Sequence, residues 1–98
     1  MVNIKVKIMD DNIKAILDNY EISEEQYWKI YEYLKSMDAV YHDTNELSRY
    51  NYESYVTKVI GNKYSHYPAE DLAVELYRLG EFQDLIKNII KVLCKLNL

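Results

Sequence analysis

Val2, Ile4, Val6 and Ile8 alternate with Asn3, Lys5 and Lys7 at the start of the chain. A period of two sends alternate side chains to opposite faces, so this stretch predicts a half-buried β-strand. The period then lengthens. Asp10 or Asp11 supplies an N-cap for a short helix that holds Ile13, Ile16, Leu17 and Tyr20 on one side. Ser23-Glu24-Glu25-Gln26 reads as a capping box, in which the serine hydroxyl takes an amide of the first turn and the glutamine reaches back. A helix from about Glu24 to about Val40 follows.

Wound at about 100° per residue, that helix gathers Tyr27, Ile30, Tyr31, Leu34, Met37 and Tyr41 into one arc of about 120°, the expected core stripe. Trp28 falls outside the arc, among Glu24, Glu25, Glu32 and Lys35, and Tyr33 and Val40 lie off its other edge. Aromatic residues in excess of a core stripe, set among charges, are the composition of a contact surface. The alternative is that another element covers the indole.

Asp43 with Glu46 at the third position suggests a further helix start, and Tyr52, Tyr55, Val56, Val59 and Ile60 share one helical face that Gly61 would close. The competing reading of 55–67 is a β-hairpin, because both flanks are rich in β-formers and Gly61-Asn62 is a two-residue turn signal. A hairpin would pair with the N-terminal strand; without it that strand needs another edge, such as a second copy of the chain. Pro68 suits the first turn of a helix carrying Leu72, Leu76 and Leu79, and Gly80 stops it. A final helix from about Glu81 to about Leu96 places Phe82, Leu85, Ile86, Ile89, Ile90, Val92, Leu93 and Leu96 on a face of about 160°, wide enough for the centre of a core or a dimer seam.

The expected fold is therefore mainly helical α+β: one N-terminal strand, then four to five short helices ending in an antiparallel helix pair. A single domain of 98 residues holds one modest core. No apolar run approaches the roughly 20 residues of a membrane span, and the N-terminus lacks the layout of a secretion signal. With one cysteine, Cys94, no internal disulfide can form. These features suit the cytoplasm.

Charge is unevenly distributed. Residues 10–53 carry eleven Asp and Glu against Lys14, Lys29, Lys35 and Arg49, a balance of −7, while the whole chain stands at −4. An acidic half of this kind repels phosphates and attracts basic protein surfaces; its bland alternative is a solubilising face. The chain holds eleven tyrosines, but Ile, Lys and Asn, which share A/T-rich codons with Tyr, are abundant too, so position rather than number carries the argument.

Known signatures cover little of the chain. Residues 76–93 resemble one tetratricopeptide-repeat hairpin, with Gly80 at the turn, Phe82 after it, then Ile86, Ile89 and Leu93. Leu85 stands where that repeat has a small residue, and no second copy lies at a spacing of about 34 residues. Residues 44–60 are similar to a helix-turn-helix, with Glu46-Leu47-Ser48 on a first helix and Ser54, Val56, Lys58 and Ile60 on a second, but lack the turn glycine. That resemblance implies a small winged-helix-like DNA-binding regulator using 44–63, with Arg49, Tyr52, Ser54, Tyr55, Lys58 and Lys63 as the DNA contacts. His42, Asp43 and Glu46 sit within one turn, without the spacing of a zinc site. Two glycines cannot build a phosphate-binding loop, and no activated serine or cysteine is in evidence. No catalysis, cofactor, metal or small-molecule substrate is expected.

The favoured expectation is a non-catalytic protein-binding module. Small, acidic, tyrosine-rich single domains resemble in type the accessory proteins of phages and archaeal viruses, anti-CRISPR inhibitors among them. That likeness implies an inhibitor of a host nucleic-acid-handling or defence complex; the acidic half points to a basic host protein as partner, and the unpaired strand and the wide last helical face to a homodimer as a further association. The residues assigned to partner binding are Glu24, Glu25, Trp28, Glu32, Tyr33 and Lys35.

Overall fold

Residues 9–44 and 49–89 are described by the computed structural model of the chain, and every regular element within them is helical. The five helices are α1 (Asp11–Tyr20), α2 (Glu24–Thr44), α3 (Arg49–Ile60), α4 (Tyr67–Arg78) and α5 (Gln83–Ile89). Among the described residues the α+β expectation is thereby corrected to an all-helical architecture. The strand expected over 2–8 lies outside the described residues. The hairpin expected over 55–67 is replaced by the second half of α3, a short turn and the start of α4.

That replacement has a packing cause. Tyr52 and Val56, four residues apart, are both buried, and Tyr55, Val59 and Ile60 pack partly against the same core. A helix delivers all five to one side, whereas a strand would send neighbours to opposite faces. The β-branched residues at the end of α3 therefore follow their burial rather than their intrinsic preference. Gly61 adopts φ 86°, a left-handed value that ends the helix. Turns closed by Ser65 N–H on Asn62 O (3.1 Å) and Tyr67 N–H on Tyr64 O (3.3 Å) lead into α4.

Local signals place the other boundaries. The Asp10 carboxylate accepts from Asn12 N–H at 2.9 Å, so Asp10 is the cap of α1. The capping box before α2 forms in both directions: Gln26 N–H donates to Ser23 Oγ at 3.1 Å, and Ser23 N–H donates to Gln26 Oε1 at 2.9 Å. Such a cap stabilises a helix by about 1 kcal/mol. α2 then runs to Thr44, beyond the expected end near Val40 and past the proposed helix start at Asp43. Gly80, at φ 85°, ends α4, and Glu81 N–H reaches back to Leu76 O at 2.9 Å. The last expected helix is described only as α5; its continuation toward Leu96 lies outside the described residues.

α4 is the pivot, packed against α1, α3 and α5, while α2 lies on α3 and α5. The core combines Ile13 and Leu17 of α1, Tyr27, Ile30 and Leu34 of α2, Tyr52 and Val56 of α3, Leu72 and Leu76 of α4, and Leu85, Ile86 and Ile89 of α5. Fully burying each such side chain stabilises the fold by about 1.5–3 kcal/mol. Ala69 and Ala73, both buried on α4, are small enough for α3 to come close, and the Tyr52 hydroxyl donates to Ala69 O at 2.7 Å. On the other side of α4, Tyr20 donates to Asp71 Oδ2 at 2.6 Å and Asn12 Nδ2 to Glu75 Oε2 at 3.2 Å, which ties α1 down and satisfies a nearly buried carboxylate. The hydrogen bond to Asp71, with burial and the charges of Asp71 and Glu70 behind it, pushes the Tyr20 hydroxyl up to about 12.

Candidate functional site

The core stripe of α2 is where the sequence put it, with Tyr27, Ile30 and Leu34 buried and Tyr31 and Met37 partly so. Tyr41 has no described side-chain environment. Trp28 is half-buried. The indole meets Tyr27 at 4.7 Å and Tyr31 at 5.2 Å between ring centres, both in T-shaped contact. It is thus neither sealed in the core nor standing clear in water, and it forms a wall of two separate concavities.

The first is an open groove of about 660 Å³ along α2 and α3. Trp28, Tyr33 and Tyr55 supply its aromatic surface, and Glu25, Lys29 and Glu32 its charged rim. Tyr33 and Tyr55 are stacked face to face, 4.1 Å between centres and 7° between planes, so the two helices present them as one rigid plate. Burial, then the neighbouring Tyr55, raises the Tyr33 hydroxyl above its ordinary range, leaving it a neutral donor at any physiological pH. Four of the six residues assigned to partner binding, Glu25, Trp28, Glu32 and Tyr33, line this groove. Glu24 and Lys35 are exposed on α2 but line neither of the concavities that share Trp28. Tyr55, a DNA contact in the helix-turn-helix alternative, stands beside Tyr33 through the contact between α2 and α3.

The second concavity, about 490 Å³, lies where α1, α2 and the α4–α5 turn meet. Ile13 and Leu76 form an apolar floor, Tyr27, Trp28 and Tyr31 the aromatic walls, and Asp10 and Glu81 the acidic edge. The Tyr31 hydroxyl donates to Glu81 Oε1 at 3.3 Å, and Phe82 packs edge-to-face on Tyr31 at 5.1 Å. Burial raises the Tyr31 hydroxyl, with Glu81 and Glu32 adding to it; burial raises Tyr27 further, with Tyr31, Glu81 and Asp10 adding to it. Asp10 and Glu81 are 71 positions apart in the sequence, so no motif could have paired them.

The DNA-binding alternative loses its geometry. The turn that a helix-turn-helix needs between its two helices would fall inside α3, which is continuous from Arg49 to Ile60. Tyr52 is 0% exposed and cannot reach a base or a phosphate. Arg49 is held by Glu53 at 2.7 Å and Glu70 at 3.5 Å; the hydrogen bond to Glu53 outweighs burial and keeps its pKa raised. Lys63 pairs with Glu21 at 3.0 Å. Ser54 and Lys58 remain exposed on α3, too few to neutralise the several phosphates on which DNA affinity depends.

Among the described residues there is no group of three or more His, Cys, Asp and Glu arranged to hold a metal ion. Nor is any helix there long and apolar enough to cross a membrane. No protein-family model matches the chain, and neither a curated protein nor a solved structure is detectably similar to it.

Proposed function

We propose that this chain is a non-catalytic protein-binding module that presents the α2–α3 groove to a partner with a basic surface. The observation that carries the reading is the pairing of a rigid aromatic plate, Tyr33 on Tyr55, with Trp28 and two rim carboxylates, Glu25 and Glu32. Aromatic side chains provide large contact areas with little conformational entropy to lose, which is why Trp and Tyr dominate interface hot spots. Rim carboxylates add attraction to a basic partner and speed its approach. Every lining residue of the groove except Tyr55 comes from residues 10–53, the stretch with the −7 balance.

A basic surface able to dock here is of the kind that otherwise takes nucleic-acid phosphates. Carboxylates in place of phosphates make the module an inhibitor of a nucleic-acid-handling complex, the role its acidic, tyrosine-rich composition suggests. The test is capture from the native host's extract by the wild-type chain, a Trp28→Ala variant and a Glu25→Lys, Glu32→Lys double variant. The expected result is one specific protein held by the wild type, released by competing duplex, and bound at least about 30-fold more weakly by each variant. All three chains should keep the same helical circular dichroism. Equal capture by wild type and folded variants would remove the groove from the proposal.

A further inference from the structure

The second concavity has a different chemistry from the groove. It combines aromatic walls with two carboxylates above an apolar floor, within the volume range of about 300–1,000 Å³ typical of ligand sites. Planes of neighbouring rings are inclined by 64° for Tyr27 and Trp28, 73° for Trp28 and Tyr31, and 49° for Tyr27 and Tyr31. The three rings, packed on one another at 4.7–6.2 Å between centres, therefore form an uneven aromatic wall rather than a flat platform. Tyr27 is nearly buried and Ile13 and Leu76 fully so, which keeps the floor dry.

Each class of occupant meets these walls differently. An anion is repelled by Asp10 and Glu81. A small hard metal ion needs six or more oxygen ligands, and Ile13, Leu76 and Trp28 offer none. A neutral apolar molecule would satisfy the floor and desolvate both carboxylates without return. A weakly hydrated organic cation suits all of it: ring faces attract the positive charge, alkyl groups meet the floor, and the carboxylates balance the charge at the edge.

We infer that the cavity between α1, α2 and the α4–α5 turn binds an alkylated ammonium group, with Trp28 and Tyr31 as its aromatic walls and Asp10 and Glu81 as its counter-charges. Burial first, then Tyr31, raises the Tyr27 hydroxyl, and the charges of Glu81 and Asp10 add to it, in keeping with both carboxylates lining the same cavity. The group arrives either as a free small molecule such as a choline head or as a methylated lysine side chain. This site shares Trp28 with the α2–α3 groove but stands whether or not the groove takes a protein.

The test titrates the full chain with choline, with its uncharged isostere 3,3-dimethylbutan-1-ol, and with a short peptide carrying trimethyllysine. Fluorescence of the single tryptophan and the methyl NMR signals of Ile13 and Leu76 are followed. Ile13 and Leu76 line this cavity and not the groove, so their shifts separate the two sites. Saturable shifts are expected with choline, at least about tenfold tighter than with the isostere. Glu81→Gln and Asp10→Asn keep the hydrogen-bonding shape of both side chains, including the helix cap, and remove the charge. Each should weaken choline by about two- to fivefold and leave the isostere unaffected. Peptide binding more than tenfold tighter than choline identifies a methylated protein as the source of the cation; equal affinity identifies the free molecule. Equal affinity for choline and its isostere, or no methyl shift with either, overturns the assignment.

Discussion

Replacing Tyr52 by phenylalanine separates the structural role of this residue from the nucleic-acid role its position in the sequence suggested. The ring is 0% exposed, and its hydroxyl donates to Ala69 O at 2.7 Å across the α3–α4 contact. Phenylalanine keeps the ring and the cavity filled, so the change removes one buried hydrogen bond. That interaction contributes about 0.5–1.5 kcal/mol net. In a domain of this size the loss lowers Tm by about 4–8 °C per kcal/mol. Tyr52→Ala also empties the ring's volume, at about 3–5 kcal/mol. Total stability is about 5–15 kcal/mol, so the alanine variant should lose a large fraction of it while the phenylalanine variant keeps most of it. Urea unfolding followed by circular dichroism at 222 nm measures both. A phenylalanine variant as stable as wild type, or an alanine variant losing less than about 1.5 kcal/mol, would mean that the α3–α4 contact is not sealed as described.

Three further outcomes follow from the same geometry. Ser23→Ala removes the hydroxyl that accepts from Gln26 N–H, and urea unfolding should register a loss of about 0.5–2 kcal/mol; no loss would mean that the capping box does not hold the start of α2. Gly80→Ala meets no atom within 4 Å of the new methyl but must hold φ near 85°, so its cost, about 1–2 kcal/mol, is purely backbone; a neutral result in thermal melts would show that the turn relaxes. The Tyr20 hydroxyl titrates near 10 when unfolded and about 12 when folded, so its contribution is complete below pH 10 and disappears as pH rises through 12. Stability measured across that window should fall less steeply for Tyr20→Phe than for wild type, and parallel curves would refute the Tyr20–Asp71 bond as its origin.

Elements defined by short-range rules were legible in the chain. Ser23 with Gln26, Asp10 before α1, Pro68 in the first turn of α4 and the glycines after α3 and α4 each act within four or five residues, and each stands where its chemistry placed it. The α2 core stripe was legible for the same reason, because helical periodicity alone determines which residues share a face. Segment 55–67 was ambiguous because Val56, Val59 and Tyr55 fit either backbone locally; burial of Tyr52 and Val56 against α4 selects the helix. The site divides in the same way. Glu25, Trp28, Glu32 and Tyr33 come from one helix, and their grouping followed from its winding. Tyr55 beside Tyr33, and Asp10 with Glu81 around Trp28 and Tyr31, are meetings of distant segments.

The amino-acid order by itself therefore determined the caps of α1 and α2, the glycine stops of α3 and α4 and the aromatic, acidic character of α2, though not where α2 ends. Only tertiary packing decided that α3 is a helix, that Tyr52 is sealed inside, and that Trp28 forms a wall of both the α2–α3 groove and the cavity beside α1 and the α4–α5 turn. Capping and periodicity are energies of adjacent residues. Which distant side chains share a cavity depends on how α1, α3 and α5 settle against α4, a choice made by the burial of the whole core at once.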